Sequence, residues 1–297
     1  MINNLRKRFI LFSVLVITTI IMILAFLVYI GPRNDLPIQR SLVIIILIIG
    51  MVFIGSWLLS KMAIAPIKVA WQKQLDFTAD ASHELRTPIA VIQTNLELVM
   101  DNPEETVSSQ MKWLKNIEAE NKRMAKLVND LLTLSRADTD QQTLESETFM
   151  LDEAIDEALV PFDPVANRKN ITLEISINNR VAFHGDRKWI KQLIVILVDN
   201  ALHYAVGPGT VTVALTRHEK KVELIISDTG YGIENEHLDK IFDRFYRVAK
   251  TRNLNEDGSG LGLSIARWIV QEHKGTIQVA SIPNKGTTFT VLLPLER

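Results

Sequence analysis

A histidine followed by a carboxylate, in the run Ser82-His83-Glu84-Leu85-Arg86-Thr87-Pro88, sets a nucleophile beside a base. Free imidazole, with a pKa of about 6.5, is mostly neutral at cytoplasmic pH and keeps one nitrogen for attack. Glu84 can orient the ring or accept its second proton. Thr87 lies one helical turn past His83 and exposes a hydroxyl on the same side. A zinc-protease site is excluded here, because Thr87 stands where the H-E-x-x-H motif needs its second histidine. Much later, Asp228-Thr229-Gly230-Tyr231-Gly232-Ile233 ends an apolar stretch. The Asp228 carboxylate there can accept an exocyclic amine, and Gly230 and Gly232 let the backbone approach a planar base closely. In Asp257-Gly258-Ser259-Gly260-Leu261-Gly262-Leu263, three glycines lead into a helix-period run. Free backbone N–H groups and a helix N-terminus then face a polyphosphate.

Alone, each glycine run is a weak signal, and Asp-x-Gly-x-Gly is more often a plain turn. Together and in this order, the three segments resemble the sensor histidine kinases of bacterial two-component systems. The resemblance runs from about Asp76 to the C-terminus. It implies autophosphorylation of His83 from ATP, transfer to an aspartate of a response regulator, and a role for Thr87 in orienting the water that removes phosphate from that regulator. It also makes Asp199-Asn200-Ala201-Leu202-His203-Tyr204 an N box. There Asn200 offers a hard amide oxygen to Mg²⁺, with His203 and Tyr204 beside the nucleotide. Ile241-Phe242-Asp243-Arg244-Phe245-Tyr246-Arg247 is similar to the F box, with Arg247 as the γ-phosphate contact and Lys250 and Arg252 as weaker candidates. Gly258, Gly260, Leu261 and Gly262 supply the phosphate loop, and Asn284-Lys285-Gly286-Thr287-Thr288-Phe289 completes the pattern with Thr287. Three positions depart from the family: Ile196 where many members have a second Asn, His203 where a Lys commonly reaches the phosphates, and Asp257 where many have Gly.

Helices and strands must carry these groups. Leu85, Ile89, Ile92, Leu96 and Val99 fall on a heptad seam. Asp101 to Glu105 then stop one helix and start another, with Asn102 as N-cap, and Leu114, Ile117, Met124, Val128, Leu131 and Leu134 form a second stripe up to about Arg136. Two antiparallel helices cannot bury both stripes alone, so a homodimeric four-helix bundle is expected, as the resemblance also implies. After a polar linker, 137–147, helices at about 151–168, 187–205 and 261–273 mix with strands at about 172–177, 210–216, 222–227, 276–281 and 287–293. This order predicts an α/β sandwich over 148–297, following a dimerisation and phosphotransfer segment at 61–136.

Residues 9–30 and 41–59 are apolar runs near the roughly 20 residues that a transmembrane helix needs. They predict a membrane anchor over 1–60, with Trp57 as an interfacial residue and Ala65-Pro66 as a kink or restart. Arg6-Lys7-Arg8 before the first run, and Lys61, Lys68 and Lys73 after the second, place both termini in the cytoplasm. The expectation is a multi-pass protein of the cell membrane with a cytoplasmic kinase domain. Because the connecting loop is short, the lipid bilayer or a membrane-embedded signal or partner is expected as the stimulus.

Across 297 residues, 33 Lys and Arg against 34 Asp and Glu give a net charge of -1 and no electrostatic reason to bind nucleic acid. With no cysteine, disulfide frameworks and thiolate zinc sites are excluded. Two rival readings remain on sequence alone. One is an ATPase of the gyrase and chaperone type, in which no histidine is modified. The other is a membrane scaffold with a degenerate nucleotide fold, supported only by Ile196, His203 and Asp257.

Overall fold

The computed structural model describes residues 18–20, 22–23, 37–138, 144–177, 180–248 and 258–295. The chain divides into two units, Met1–Thr78 and Ala79–Arg297. In the first unit the described residues are helical, and most belong to α1 (Pro37–Met100), which runs unbroken through Pro66. The expected restart at Ala65-Pro66 is therefore absent.

The two expected transmembrane helices and the multi-pass membrane location are also corrected. Among the described residues, no helix is long and apolar enough to cross a membrane. Of the first run, only 18–20 and 22–23 are described. The second, 41–59, has no ends of its own and is an internal stretch of the 64-residue α1. Trp57 is exposed, and the Lys61 ammonium lies 4.3 Å from its ring centroid, a cation–π contact in place of an interfacial anchor.

In the second unit, the end of α1 and α2 (Val107–Asp138) form a helical hairpin. The turn differs from the expectation. Thr106, not Asn102, caps α2, its hydroxyl accepting the Ser109 N–H at 3.3 Å. Asn102 serves the preceding helix instead, donating from Nδ2 to the Leu98 carbonyl at 2.9 Å. Gln110 Nε2 donates to the Val99 and Asn102 carbonyls at 3.1 and 2.7 Å. The last carbonyls of α1 lack helical partners, and two amide side chains supply them. Across the hairpin, Asn116 Nδ2 donates to the buried Asn95 Oδ1 at 3.1 Å.

The α1 seam is half satisfied: Leu85, Ile92 and Val99 are half-buried, whereas Ile89 and Leu96 remain 49% and 46% exposed. On α2 the expected stripe holds at Leu114, Ile117, Met124, Leu131 and Leu134, all half-buried or buried, and departs at Val128. Leu127 and Leu134 are buried with Leu131 packed against them, while Val128 is exposed, since one residue turns a helix by about 100°.

Beyond the hairpin, β1 (Glu147–Met150) precedes α3 (Leu151–Leu159), a 3₁₀ turn at Val160–Phe162 and α4 (Asp163–Arg168). The one helix expected over 151–168 is thus broken, because Pro161 and Pro164 donate no N–H. Then come β2 (Ile171–Ile177), β3 (Ala182–Gly185), α5 (Arg187–Tyr204), β4 (Gly209–Arg217) and β5 (Lys221–Asp228). The chain continues with α6 (Asn235–Leu238), α7 (Gly262–Glu272), β6 (Thr276–Ile282) and β7 (Gly286–Pro294). Strands β1 and β3 pair antiparallel, and the others form a five-stranded sheet in the order β2-β4-β5-β7-β6. All its pairings are antiparallel except β2 with β4.

Period-2 alternation aims one face of the sheet at α5 and α7. Val211, Val213 and Leu215 of β4, Val222, Leu224 and Ile226 of β5, and Phe289, Val291 and Leu293 of β7 are all buried. Ile190, Leu193, Ile194, Leu197 and Val198 of α5 and Ile265, Ala266 and Ile269 of α7 complete the same core. The expected α/β sandwich is the observed fold of this part, and it holds the ends of β5, β7 and α5 together.

Candidate functional site

Asp228 is the last residue of β5 and continues the buried series Val222, Leu224, Ile226. A carboxylate therefore sits where the alternation would put an apolar side chain, and it is only 4% exposed. Burial pushes its pKa up from the ordinary 3.8 to about 6, while backbone N–H groups of Thr287 and Gly230 pull it partly back. Its Oδ1 has no hydrogen-bond partner among the described residues. A buried acceptor left unpaired is costly, and an exocyclic amine of a base is the donor it fits.

Close approach of two backbones brings Asp228 to the end of α5. Gly230 bridges Ala205, and the Tyr231 N–H donates to the Tyr204 carbonyl at 3.3 Å. A Cβ on Gly230 would lie 2.1 Å from that carbonyl oxygen and 2.7 Å from Asp228 Oδ1. Gly230→Ala is therefore expected to push the loop off α5 and cost about 1 to 3 kcal/mol; thermal unfolding with and without nucleotide measures both parts. Gly232 follows in the same loop. The Asn284 N–H donates to the Tyr231 carbonyl at 2.7 Å, and the Ile233 N–H to Ser281 Oγ at 2.7 Å.

On the other side of Asp228 stands Thr287, its register partner on β7, also buried. Asp186 caps the N-terminus of α5, its carboxylate accepting the Trp189 N–H at 3.2 Å. The last turns of α5 hold the half-buried Asn200, His203 and Tyr204, with the His203 ring edge-on to Tyr204 at 5.0 Å between centroids.

The glycine-led loop adjoins this end of the molecule. Gly260 has φ +70°, and a Cβ there would lie 2.8 Å from the Phe245 carbonyl carbon, so a side chain is doubly excluded. The Phe245 N–H donates to the Gly260 carbonyl at 3.0 Å, tying the segment before Arg247 to the loop. Gly258 precedes the loop, Leu261 is fully buried, and α7 starts at Gly262. A Cβ on Gly262 would come 3.4 Å from Ile196 Cγ2. Asn200 lies one turn beyond Ile196 on the same side of α5 and thus toward the N-terminus of α7. Arg247 is half-buried at the end of the F-box segment, which is held by a 2.7 Å hydrogen bond between His237 Nδ1 and the Tyr246 hydroxyl. Lys250, Arg252 and Asp257 lie outside the described residues.

His83 and Thr87 are exposed on α1, and Glu84 beside them is half-buried. Among the described residues no hydrogen bond or ion pair joins His83 to the groups round Asp228. The hairpin meets the α/β part elsewhere: Leu127 and Leu134 share its core, and Lys126 Nζ lies 3.8 Å from Asp199 Oδ2. Ser281 was not singled out from sequence. Its signal was present, since it occupies an inward position of β6, where the pattern otherwise reads Ile277 and Val279.

The same segments match known families in tandem. Residues 73–140 match the His Kinase A (phospho-acceptor) domain, and residues 185–297 match the histidine kinase-, DNA gyrase B-, and HSP90-like ATPases. The chain carries the phospho-acceptor and ATPase domains of histidine kinases in tandem. It is 33% identical over 248 residues to the sensor histidine kinase RppB of Synechocystis, covering 83% of this chain and 55% of that protein. It is also 33% identical over 243 residues to the sensor protein CiaH of Streptococcus pneumoniae, covering 82% and 54%. The chain thus spans about half the length of these curated relatives. Among solved structures, the histidine kinase AdeS of Acinetobacter baumannii superposes with TM-score 0.59 at 27% identity, over 72% of this chain and 98% of that one. The histidine kinase ThkA, solved in complex with the response regulator protein TrrA, superposes with TM-score 0.60 at 27% identity, over 74% and 61%.

Proposed function

We propose that this histidine kinase moves the γ-phosphoryl group of ATP onto His83 and then onto an aspartate of a response regulator. The observation that carries the ATP half is the unpartnered, buried Oδ1 of Asp228, set between Gly230 and Thr287. In this reading Asp228 and Thr287 hold the adenine, with Gly232 and Tyr204 beside it. Gly258, Gly260, Leu261 and Gly262 present N–H groups to the phosphates. His203, Arg247 and Lys250 add positive or donor groups. Asn200 is the residue that would hold Mg²⁺, through its amide oxygen, and the ion would neutralise phosphate charge.

His83 supplies the nucleophile. A neutral ring nitrogen attacks the γ-phosphorus, the bond to the ADP oxygen breaks, and the proton on the other ring nitrogen passes toward Glu84. Exposure on the hairpin suits a nucleophile that must be reached first by an ATP-binding domain and then by a separate protein. The exposed Ile89 and Leu96 of the seam support a homodimeric four-helix bundle. The proposed domains are 61–136 for dimerisation and phosphotransfer, 137–147 for the linker and 148–297 for ATP binding. The complex of ThkA with TrrA supports a regulator as partner.

Incubation with γ-labelled ATP tests the proposal. Acid-labile, base-stable label on the chain is expected, and acid-stable label or ATP hydrolysis without label would refute it. The same hairpin is proposed to dephosphorylate the regulator, with Thr87 orienting the water. Thr87→Ala should keep autophosphorylation while slowing loss of regulator phosphate by about tenfold or more. Equal loss of both activities would point to helix damage instead.

A further inference from the structure

Three residues stand in one row across the sheet, on the face that α5 and α7 cover. Ser281 of β6 is in register with Thr287 of β7, and Thr287 with Asp228 of β5. Paired residues of antiparallel strands point to the same side, so their polar side chains are neighbours. Ser281 Oγ has three polar neighbours. It donates its single proton to the Gly286 carbonyl at 2.9 Å and accepts the Ile233 N–H at 2.7 Å. It also lies 3.0 Å from Thr287 Oγ1. With the Ser281 proton on the Gly286 carbonyl, which can only accept, Thr287 is the donor in that last contact. Thr287 then has only lone pairs to offer, as Asp228 Oδ1 does.

We propose that Ser281 is a specificity-determining positioning residue for the base. It turns Thr287 into an acceptor beside Asp228 and pins the 228–233 loop, so that the pocket accepts a base carrying an exocyclic amine and rejects one carrying an oxo group at that place. The inference rests on the ATP reading above. The loop is otherwise tethered through the Tyr231 N–H to Tyr204 and the Asn284 N–H to Tyr231, so removing the serine hydroxyl loosens it without releasing it.

The consequence differs in kind from simple damage. Without the Ser281 hydroxyl, the Thr287 proton is free to turn toward the ligand, where it helps an oxo group and hinders an amine. The test measures the affinity of the full chain for ADP and for inosine diphosphate, which has an oxo group in place of the amine. Ser281→Ala is expected to weaken ADP binding while holding or tightening inosine diphosphate binding, so that the preference for ADP falls about tenfold. Ser281→Thr keeps a hydroxyl and should keep the preference. If Ser281→Ala does not fold, Ser281→Cys carries the same comparison, because a thiol is a weak acceptor. An unchanged preference, or equal loss for both nucleotides, would overturn the role of Ser281 alone. An unaltered chain that binds neither nucleotide would overturn the ATP reading itself.

Discussion

No acid-labile label from ATP is expected on His83→Gln, while its affinity for ADP stays within about 1 kcal/mol of that of the unaltered chain. The two halves of this result have separate causes. Glutamine keeps polarity and length but has no lone pair on nitrogen that can form a bond to phosphorus, so the transfer loses its acceptor entirely. Nucleotide binding is untouched because His83 is exposed on α1, away from the Asp228 end of the sheet, and distant sites perturb each other little. Labelling followed by acid and alkaline treatment measures the first half, and titration calorimetry the second. Acid-labile label that persists on the variant would mean that another residue accepts the phosphoryl group. Full loss of ADP affinity would mean that the hairpin itself is damaged. ATP hydrolysis at an unchanged rate, with no label on either protein, would favour the gyrase-type ATPase reading.

Much of the α/β part was legible because its strands are long and alternate. All five strands of the main sheet were expected within a residue or two, and Asp228 stood out as a charge closing the series Val222, Leu224, Ile226. The small β1–β3 sheet was not legible: each strand has four residues, and its partner lies 35 or so positions away, so neither shows a pattern of its own. The break in the helix over 151–168 has its cause in Pro161 and Pro164, which donate no N–H. Ser281 shows a different limit. A serine at an inward strand position only acquires meaning from register, because the β6–β7 and β5–β7 pairings bring it to Thr287 and Asp228. Register is a tertiary fact that no local pattern carries. The apolar run at 41–59 is a strong local pattern, yet among the described residues no helix is long and apolar enough to cross a membrane. At the turn, Asn102 serves the end of α1 by donating to the Leu98 carbonyl, and the Thr106 hydroxyl accepts the Ser109 N–H at the start of α2.

Asp228→Asn is expected to make the nucleotide-free protein more stable at pH 8 while removing most of its affinity for adenine nucleotides. Burial holds the Asp228 pKa at about 6 against an ordinary 3.8, so the folded protein favours the protonated form more than the unfolded chain does. The stability that this proton confers is fully present below about pH 4 and is lost as pH rises through 6, up to about 3 kcal/mol. Asparagine resembles the protonated acid at every pH, so the variant should gain up to that amount at pH 8 and nothing at pH 4. Chemical denaturation at the two pH values measures the difference. Binding has the opposite sign, since an amine donor favours the carboxylate. Only the ionised fraction of Asp228 is competent in this reading, and at pH 5 that is about a tenth, so affinity for ADP should fall about tenfold between pH 7.5 and pH 5. Asparagine should lose a charge-assisted hydrogen bond of about 1.5 to 3 kcal/mol, roughly ten- to hundredfold in affinity, and flatten the Asp228 part of the pH profile. Protonation of the nucleotide itself contributes equally to both proteins, so the difference between their profiles isolates the carboxylate. If the two profiles run parallel and the variant gains no stability at pH 8, then Asp228 is paired in solution and does not meet the base.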